Sequence, residues 1–300
     1  MIMNVNHVDP MTEEFTAYRA LLFGIAYRML GSVAEAEDLV QETYLRWQAQ
    51  DRAAIVTPRA WLSTTITRLC IDQLGSARRR REEYVGVWLP EPLIDPAAPA
   101  PDAAAAMADS LGVAFLLMLE ELSPVERAVF LLREAFTYDY AEIARIVDKS
   151  EASCRQMVSR AKTRIARPDP AGRQPTAQAE QVVRRFQRAC ATGNLRELLA
   201  VLTDDVVLYT DGGGRVRAAR RPILAADRVS RLFLGIRERA LLGAEFRLVR
   251  VNGDSGLLIR RRDGVVVVLS FAFAGDRIQR IYAVSNPDKL HHLPSPPGRN

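Results

Sequence analysis

The residues whose types and spacing most clearly suggest ligand binding lie in the stretch YTDGGGR at positions 209–215, where three glycines separate an apolar run from basic residues. Glycine-rich loops beside basic side chains can bind phosphates, because their backbone amides approach the ligand closely. The phosphate-loop pattern requires GxxxxGK followed by Ser or Thr, and the dinucleotide pattern requires GxGxxG between a strand and a helix. Neither spacing occurs, because Arg215, Val216 and Arg217 follow the third glycine. The stretch therefore predicts a tight loop in preference to a nucleotide site.

Candidate residues for acid–base or metal chemistry are few. Asp211, Asp227 and Asp263 could act as general bases, but no histidine lies in the body of the C-terminal region. The histidines at positions 7, 291 and 292 and the three widely spaced cysteines form neither a metal-ligand pattern nor a disulfide framework. We therefore expect no catalytic residues, no metal and no cofactor.

The chain carries a formal net charge of +5, and its basic residues form two clusters. One is Arg78–Arg81 in the stretch SARRRREE, at the end of a helical pattern, and the other extends from Arg155 to Arg167 on a later helix. Charge clusters are usually solvated surfaces. Because two such clusters lie on helices, nucleic-acid binding is as plausible here as a merely solvated surface.

Composition excludes several other classes of protein. With 48% apolar residues the chain resembles a globular protein, and it contains no apolar run of the 18 or more residues that a membrane-spanning helix needs. The first ten residues lack the basic and apolar regions of a signal peptide. These features predict a cytoplasmic protein without a membrane partner.

Residues 11–87 have the pattern of an all-helical domain. A first helix is expected to end at Gly31, and Ser32 with Glu35 has the spacing of a capping box for a second helix. Pro58 suits the first position of a third helix, which carries the first arginine cluster at its end.

Residues 88–106 are rich in proline and alanine, which is typical of a linker, and residues 107–167 are again helical. Two short helices joined by the turn DKS at 148–150 predict a helix-turn-helix, and the alternative is a helical hairpin that only packs. Asp148 stands where a turn glycine is common, and aspartate tolerates the left-handed conformation better than most residues. The candidate DNA-contacting residues on the second helix are Ser153, Arg155, Gln156, Ser159, Arg160 and Lys162.

A second proline-rich break at 168–176 precedes a third unit, residues 177–293. Two helices are expected to meet at Gly193, and strand-like runs with DG and GD turns follow them. A helix over about 222–240 interrupts the strands. The pattern predicts a small α+β domain with a curved antiparallel sheet.

The first two units together resemble the DNA-binding domains of extracytoplasmic-function sigma factors. The matching stretches are AEDLVQETYLRW (36–47), PRAWLSTTITRLCIDQLGSARRR (58–80) and LSPVERAVFLLREAFTYDYAEIARIVDKSEASCRQMVSRAKTRI (122–165). The third unit, with DGGGR and the terminal NPDKL at 286–290, resembles the cone-shaped SnoaL-like (NTF2-like) domain fused to one group of these factors. The resemblance implies a multidomain protein of two all-α DNA-binding domains, the second a helix-turn-helix, and one α+β domain.

The family resemblance implies a role for each candidate surface. Residues on the exposed face of the second helix would bind the clamp of core RNA polymerase: Asp38, Gln41, Glu42 and Arg46. The third helix would meet the −10 promoter element, with Arg68, Asp72, Arg78 and Arg79 as candidates. Trp61 could stack on a base, although its spacing favours core packing. The helix-turn-helix would bind the −35 element.

For the third unit we expect a regulatory domain without catalysis. The loop Asp211, Gly212, Gly213, Gly214 and Arg215 and the tail Asn286, Pro287, Asp288, Lys289 and Leu290 offer complementary charges at the rim of the sheet. We expect these charges to form exposed pairs that dock the loop or tail against the sigma domains and restrain the linker around Trp88, Leu89 and Pro90.

Two hypotheses follow for the function. The first is an alternative sigma factor that acts only within RNA polymerase holoenzyme and whose fused domain tunes its activity, with a small-molecule ligand possible in that domain. The second is a repressor-like DNA-binding protein fused to a small-molecule-binding or isomerase- or cyclase-like domain. The polymerase-binding helix of the first unit favours the sigma factor. The sequence names no external anti-sigma protein.

Overall fold

The computed structural model of the 300-residue chain describes residues 10–51, 55–82, 84–94, 112–165, 176–261, 264 and 266–293. The chain divides into two compact units, the first made of residues 1–80 and 118–165 and the second of residues 81–117 and 166–300. Among the described residues, no helix is both long and apolar enough to cross a membrane.

The first unit is helical. Its helices are α1 (Pro10–Leu30), α2 (Val33–Gln48), α3 (Pro58–Glu82), α5 (Pro124–Glu134), α6 (Tyr140–Val147) and α7 (Glu151–Ile165), while α4 (Val113–Leu119) lies across the division between the units. The buried Trp47 packs against Trp61 with the ring centroids 5.6 Å apart, and its indole Nε1–H donates to the Met11 carbonyl. Trp61 is therefore part of this packing, as its spacing predicted.

Side-chain caps define the helix ends of this unit. The Ser32 hydroxyl accepts from the Glu35 amide at 3.2 Å at the start of α2. Full capping boxes begin α5 and α6, where Ser123 pairs with Glu126 and Asp139 with Glu142. Each box satisfies two backbone N–H groups that have no partner inside the helix. Local sequence thus sets the helix boundaries here.

The turn of the helix-turn-helix depends on a left-handed residue. Asp148 has φ 54° and ψ 56°, and its amide donates to the Ala144 carbonyl at the end of α6. A non-glycine residue in this conformation costs free energy because its Cβ approaches the carbonyl oxygen. Asp148 thus takes the left-handed conformation that aspartate tolerates better than most residues.

The second unit combines helices with one six-stranded sheet. The helices are α8 (Thr176–Thr192), α9 (Leu195–Val201) and α10 (Ala226–Ile236), which continues as a π-helical turn (Arg237–Leu241). The strands are β1 (Leu202–Asp211), β2 (Ile223–Leu224), β3 (Glu245–Val251), β4 (Asp254–Arg260), β5 (Val266–Ala274) and β6 (Arg277–Val284), and a 3-10 turn (Pro287–Lys289) follows. The expected α+β domain is confirmed.

The strand order is β2-β1-β6-β5-β4-β3, with one parallel pair. β1 runs parallel to β6, so that Asp211 lies opposite Val284, whereas the other pairs are antiparallel. The expectation of a wholly antiparallel sheet is therefore wrong. The parallel pair arises because α10 and the strands that follow it separate β1 from β6 along the chain, and a long connection permits parallel pairing.

Both faces of the sheet are covered. The helices α8, α9 and α10 bury one face in a core that includes Phe186, Phe233 and Phe271. The other face carries residues such as Leu258, Val268 and Tyr282, and it is covered by residues from α4 and from the segment 84–94: Val87, Leu89, Ile94, Val113, Ala114 and Leu117. The predicted linker 88–106 therefore begins within packed structure, while residues 95–111 and 166–175 lie outside the described part of the chain.

The left-handed turn gives a test of the fold. Asp148→Val should lower the free energy of unfolding by about 1–2 kcal/mol, because a β-branched residue is strained at positive φ. Asp148→Gly should leave it equal or higher, because glycine adopts this conformation without strain. Urea unfolding followed by circular dichroism measures both, with the exposed neighbour Lys149→Ala as the control. Equal stabilities of the valine and glycine variants would contradict the assignment.

Candidate functional site

The first candidate surface is the polar face of α2. Asp38, Gln41 and Arg46 are exposed, and the Arg46 Nε donates to Glu42 Oε1 at 2.8 Å. Leu45 lies on the same face and is 53% exposed, although it is a large apolar residue. The sequence reasoning missed Leu45, and its place four residues after Gln41 and seven after Asp38 is the signal that identifies it. The face thus combines mixed charge with one apolar residue, which suits a protein partner.

The second surface lies along α3. The Arg68 guanidinium donates to the carbonyls of Ile146 and Arg145 at 3.0 and 3.3 Å, at the C-terminal end of α6. Asp72 is exposed, and the backbone of Arg78 and Arg79 is helical while their side chains lie outside the described part of the structure. The Nε and Nη2 atoms of the Arg68 guanidinium are therefore bound to α6 in this structure.

A buried polar contact accompanies the Arg68 bonds. The hydroxyl groups of Ser63 on α3 and Tyr138 before α6 are 2.6 Å apart, and both residues are buried. The Arg59 guanidinium lies 4.8 Å from the centroid of the Tyr138 ring. Removing either hydroxyl would leave its partner buried without a hydrogen bond, so this contact favours the packed arrangement of α3 against α6.

The third surface is the outer side of α7. Arg155, Gln156, Ser159, Arg160 and Lys162 are exposed, and Ser153 is half-buried. Cys154, Val158 and Ala161 are buried on the opposite side. The expected division of this helix into an apolar inner side and a polar outer side is what the structure has.

The exposed basic residues of α7 differ in how they are held. The Arg155 guanidinium pairs with Glu151 at 2.9 Å and lies 4.6 Å from the centroid of the Tyr140 ring. Lys162 pairs with Glu134 at 2.8 Å. Arg160 forms no salt bridge with any residue that the structure describes. Arg160 is therefore the side chain that can reach a ligand without breaking an ion pair.

The fourth site surrounds the Asp211 carboxylate at the end of β1. Asp211 is 1% exposed, and its oxygens accept hydrogen bonds from the Tyr84 hydroxyl at 2.5 Å and the Leu89 amide at 2.9 Å. The Gly213 amide donates to the same carboxylate at 3.1 Å. Burial and the hydrogen bond to Asp211 raise the pKa of Tyr84, because both disfavour the phenolate. Two of the donors thus belong to the segment 84–94.

Lys289 completes this site. The residue is 6% exposed, and its ammonium group lies 2.8 Å from Asp211 Oδ2 and also donates to the Leu89 carbonyl. The same group lies 4.4 Å from the Trp88 ring centroid and 4.9 Å from that of Tyr84. A buried ammonium requires such compensation, since an unpaired charge in an apolar interior is costly.

Further contacts hold the rest of the segment 84–94 on the sheet. The Asn252 backbone N–H donates to the Leu93 carbonyl at 2.7 Å, and the side-chain Oδ1 of Asn252 accepts from the Leu93 backbone N–H at 3.2 Å. Ile94 forms an isolated antiparallel bridge with Val251 of β3. We call the contact of residues 84–94 with the C-terminal domain the linker contact.

The tail and the glycine loop lie next to each other, as predicted from the sequence. Arg215 and Asp288 form an exposed pair at 3.3 Å, as expected. The expectation of exposure is wrong for Asp211 and Lys289, because the parallel pairing of β1 with β6 brings both under the linker. Pro287 begins the 3-10 turn, and Leu290 is buried in the apolar cluster beneath the linker.

The glycine loop is tightly folded. A Cβ at Gly212 would lie 2.2 Å from the Val216 carbonyl oxygen, and one at Gly213 would lie 2.3 Å from the Asn286 side chain. Gly213 and Gly214 also have positive φ. These positions need glycine for close approach, which is the tight loop that the sequence predicted.

Comparison with known proteins covers nearly the whole chain. Residues 15–80 match the family model of Sigma-70 region 2, and residues 112–165 match that of Sigma-70 region 4. The ECF RNA polymerase sigma factor SigJ of Mycobacterium tuberculosis (strain ATCC 25618 / H37Rv) is 36% identical over 293 residues, which span 94% of this chain and 93% of that protein. A probable ECF sigma factor, SigI, from the same strain is 31% identical over 95% of this chain and 96% of its own length.

The crystal structure of M. tuberculosis SigJ is similar to this chain. It superposes with a TM-score of 0.76 and 34% identity, over 93% of this chain and 98% of that chain. The superposition therefore includes the C-terminal domain. The match to region 2 removes the alternative of a repressor-like protein, which needs no such domain.

If the outer side of α7 binds the −35 element, alanine substitutions there should lower the affinity for DNA. Arg160→Ala should weaken binding to a duplex that the wild-type protein selects from a random library by about 1–3 kcal/mol, because an arginine on a base edge is worth that much. Arg155→Ala should weaken it within the same range. Fluorescence anisotropy measures the affinity.

Arg164→Ala is the charge-matched control, because Arg164 is already bound to Glu126 at 3.2 Å and to the Glu121 carbonyl. Wild-type affinity in both the Arg155 and the Arg160 variants would remove α7 as the recognition helix.

The arginine cluster at the end of α3 predicts a salt-dependent defect. Replacing Arg78 and Arg79 by alanine should weaken binding to single-stranded −10 oligonucleotides and flatten the salt dependence by about 0.7 in log–log slope for each lost phosphate contact. Affinity for core polymerase should not change. The reference variant is Arg46→Ala on α2, which should weaken core binding and leave the oligonucleotide affinity intact. The opposite pattern would assign the cluster to the polymerase interface.

Proposed function

Since this chain belongs to the extracytoplasmic-function family of RNA polymerase sigma factors and is an alternative sigma factor, we propose that its C-terminal domain regulates promoter-specific initiation through the linker contact. The observation that carries the proposal is the buried pair of Asp211 and Lys289, which closes on Leu89 of the linker. The site of action is the cytoplasm, where RNA polymerase transcribes.

The face of α2 is the proposed contact with core polymerase. Asp38, Gln41, Glu42 and Arg46 supply charge complementarity, which steers association and makes it salt-sensitive. Leu45 adds an exposed apolar side chain on the same face. Apolar groups surrounded by charged ones are typical of protein interfaces with a small buried core.

Promoter recognition is divided between two helices. We propose that α7 reads the −35 duplex through its outer side and that the end of α3 captures the −10 strand. Binding energy alone drives strand opening, because an unstacked base held on the protein offsets the cost of unpairing it. Arg68 joins this work only after it leaves α6, so the packing of α3 against α6 opposes −10 binding.

The linker contact is well suited to regulation. It fixes residues 84–94, which lie between the two DNA-binding regions of the chain. A sigma factor must place both regions on promoter elements at a set spacing, so a restrained linker alters the free energy of reaching that spacing. The domain therefore acts by holding or releasing the linker.

We infer that the domain works without catalysis. Asp211, which could serve as a general base, is already bound to Tyr84, Leu89, Gly213 and Lys289. Asp227 pairs with Arg231 on the exposed side of α10. A base committed to buried donors has no free lone pair for a substrate proton. Asp263 lies outside the described residues.

The proposal predicts the effect of breaking the linker contact. Lys289→Met should lower the free energy of unfolding of the second unit by about 3–5 kcal/mol, because the Asp211 carboxylate stays buried without its partner. Leu89→Glu should release the linker while leaving the C-terminal domain unchanged in sequence. Both variants should change the yield of run-off transcription with purified core polymerase.

Two controls keep the test specific. Asp288→Asn breaks only the exposed pair with Arg215 and should change stability by at most about 1 kcal/mol and leave transcription unaltered. Truncation after Leu293 retains every described residue of the tail, whereas removal of 286–300 deletes Lys289. Wild-type run-off yield from Leu89→Glu and from the 286–300 deletion, with the domain still folded by circular dichroism, would contradict the proposal.

A further inference from the structure

A basic cleft lies beside the linker contact. Its volume is about 480 Å³, which suits a small ligand. The glycine loop and the residues after it form most of the wall, and Val85 and Gly86 of the linker form the rest.

The charge of this cleft is of one sign. Arg215, Arg217 and Arg220 line it, and among the described residues no aspartate or glutamate does. All three arginines are exposed to solvent. Arg215 has the exposed partner Asp288, while Arg217 and Arg220 form no salt bridge with any residue that the structure describes. Like charges held close together repel one another, and an anion in the cleft relieves the repulsion.

The walls also fix the backbone that carries these arginines. The Thr210 hydroxyl accepts from the Ala219 amide at 2.8 Å and donates to the Ala219 carbonyl at 3.0 Å, which closes the loop at its base. The amides of Arg215 and Val216 both donate to the Gly212 carbonyl. The arginine backbones are therefore preorganised, which lowers the entropy cost of binding.

We propose that this cleft binds a phosphate-bearing ligand. Guanidinium groups present paired N–H donors that match phosphate oxygens in bidentate geometry, and several of them around one small cavity favour a polyanionic phosphate group. The phosphate belongs either to a free small molecule or to the backbone of DNA, and the experiment below separates the two.

The ligand is coupled to the linker contact, a step that rests on the proposed function. Val85 and Gly86 contribute to the wall only when the linker lies on the domain, so a ligand that touches this wall binds the docked state more tightly. By linkage, the ligand stabilises the docked linker to the same extent. The cleft would thus make transcription respond to a phosphate-bearing molecule.

The test uses the full chain and two probes. Isothermal titration calorimetry with inorganic pyrophosphate reports the free ligand, and fluorescence anisotropy with a short duplex without promoter elements reports the DNA backbone. The double variant R217A/R220A should weaken pyrophosphate binding at least about tenfold, because two charge-assisted contacts are lost. The charge-matched control R228A/R231A removes two exposed arginines of α10 outside the cleft and should bind like wild type.

Each result decides one part of the proposal. Pyrophosphate binding that R217A/R220A loses and the control keeps supports a free ligand, whereas loss of duplex binding alone supports the DNA backbone. Equal losses in both double variants, or no binding of either probe by wild type, overturn the site. Unchanged pyrophosphate affinity in Leu89→Glu overturns the coupling and leaves the cleft intact. Run-off transcription by Leu89→Glu tests the regulatory function separately.

Discussion

The buried pair of Asp211 and Lys289 organises the second unit. Neither charge is stable in an apolar interior alone, and together they still need the Leu89 backbone and the Tyr84 hydroxyl to complete their hydrogen bonds. The pair can form because β1 and β6 run parallel, so that their C-terminal ends lie side by side. A chain segment distant in sequence thereby becomes a required partner of the domain.

The two units use polar groups in different ways. In the first unit, capping boxes and the left-handed Asp148 act over three or four residues and set where helices begin and end. In the second unit, Asp211, Asn252 and Lys289 bind residues of the linker that are more than a hundred positions away in sequence. The first kind of interaction specifies local structure, and the second kind decides which segments pack together.

This difference explains what the sequence predicted. Helix starts at Ser123 and Asp139, the apolar inner side of α7 and the hairpins around Gly264 and Gly275 follow from short-range patterns, and the structure has them. The parallel strand pair and the burial of Lys289 depend on contacts between distant segments, which charge and periodicity do not encode. Arg68 was assigned from its position on α3, and only the fold reveals that it binds α6. The roles of the DNA- and polymerase-facing residues stay predictions.

The apolar cluster beneath the linker changes what counts as the C-terminal domain. Leu89, Ile94 and Val113 supply part of the cluster on the outer sheet face, yet they precede α8 by more than sixty residues. A fragment that begins at Thr176 would expose Leu258, Val268 and Tyr282 to water, and this apolar patch would make the fragment prone to aggregation. The compact unit that contains the C-terminal domain is therefore built from two separate stretches of the chain. A fusion of this C-terminal domain to another sigma factor would therefore need to include the linker segment 84–94 of this chain.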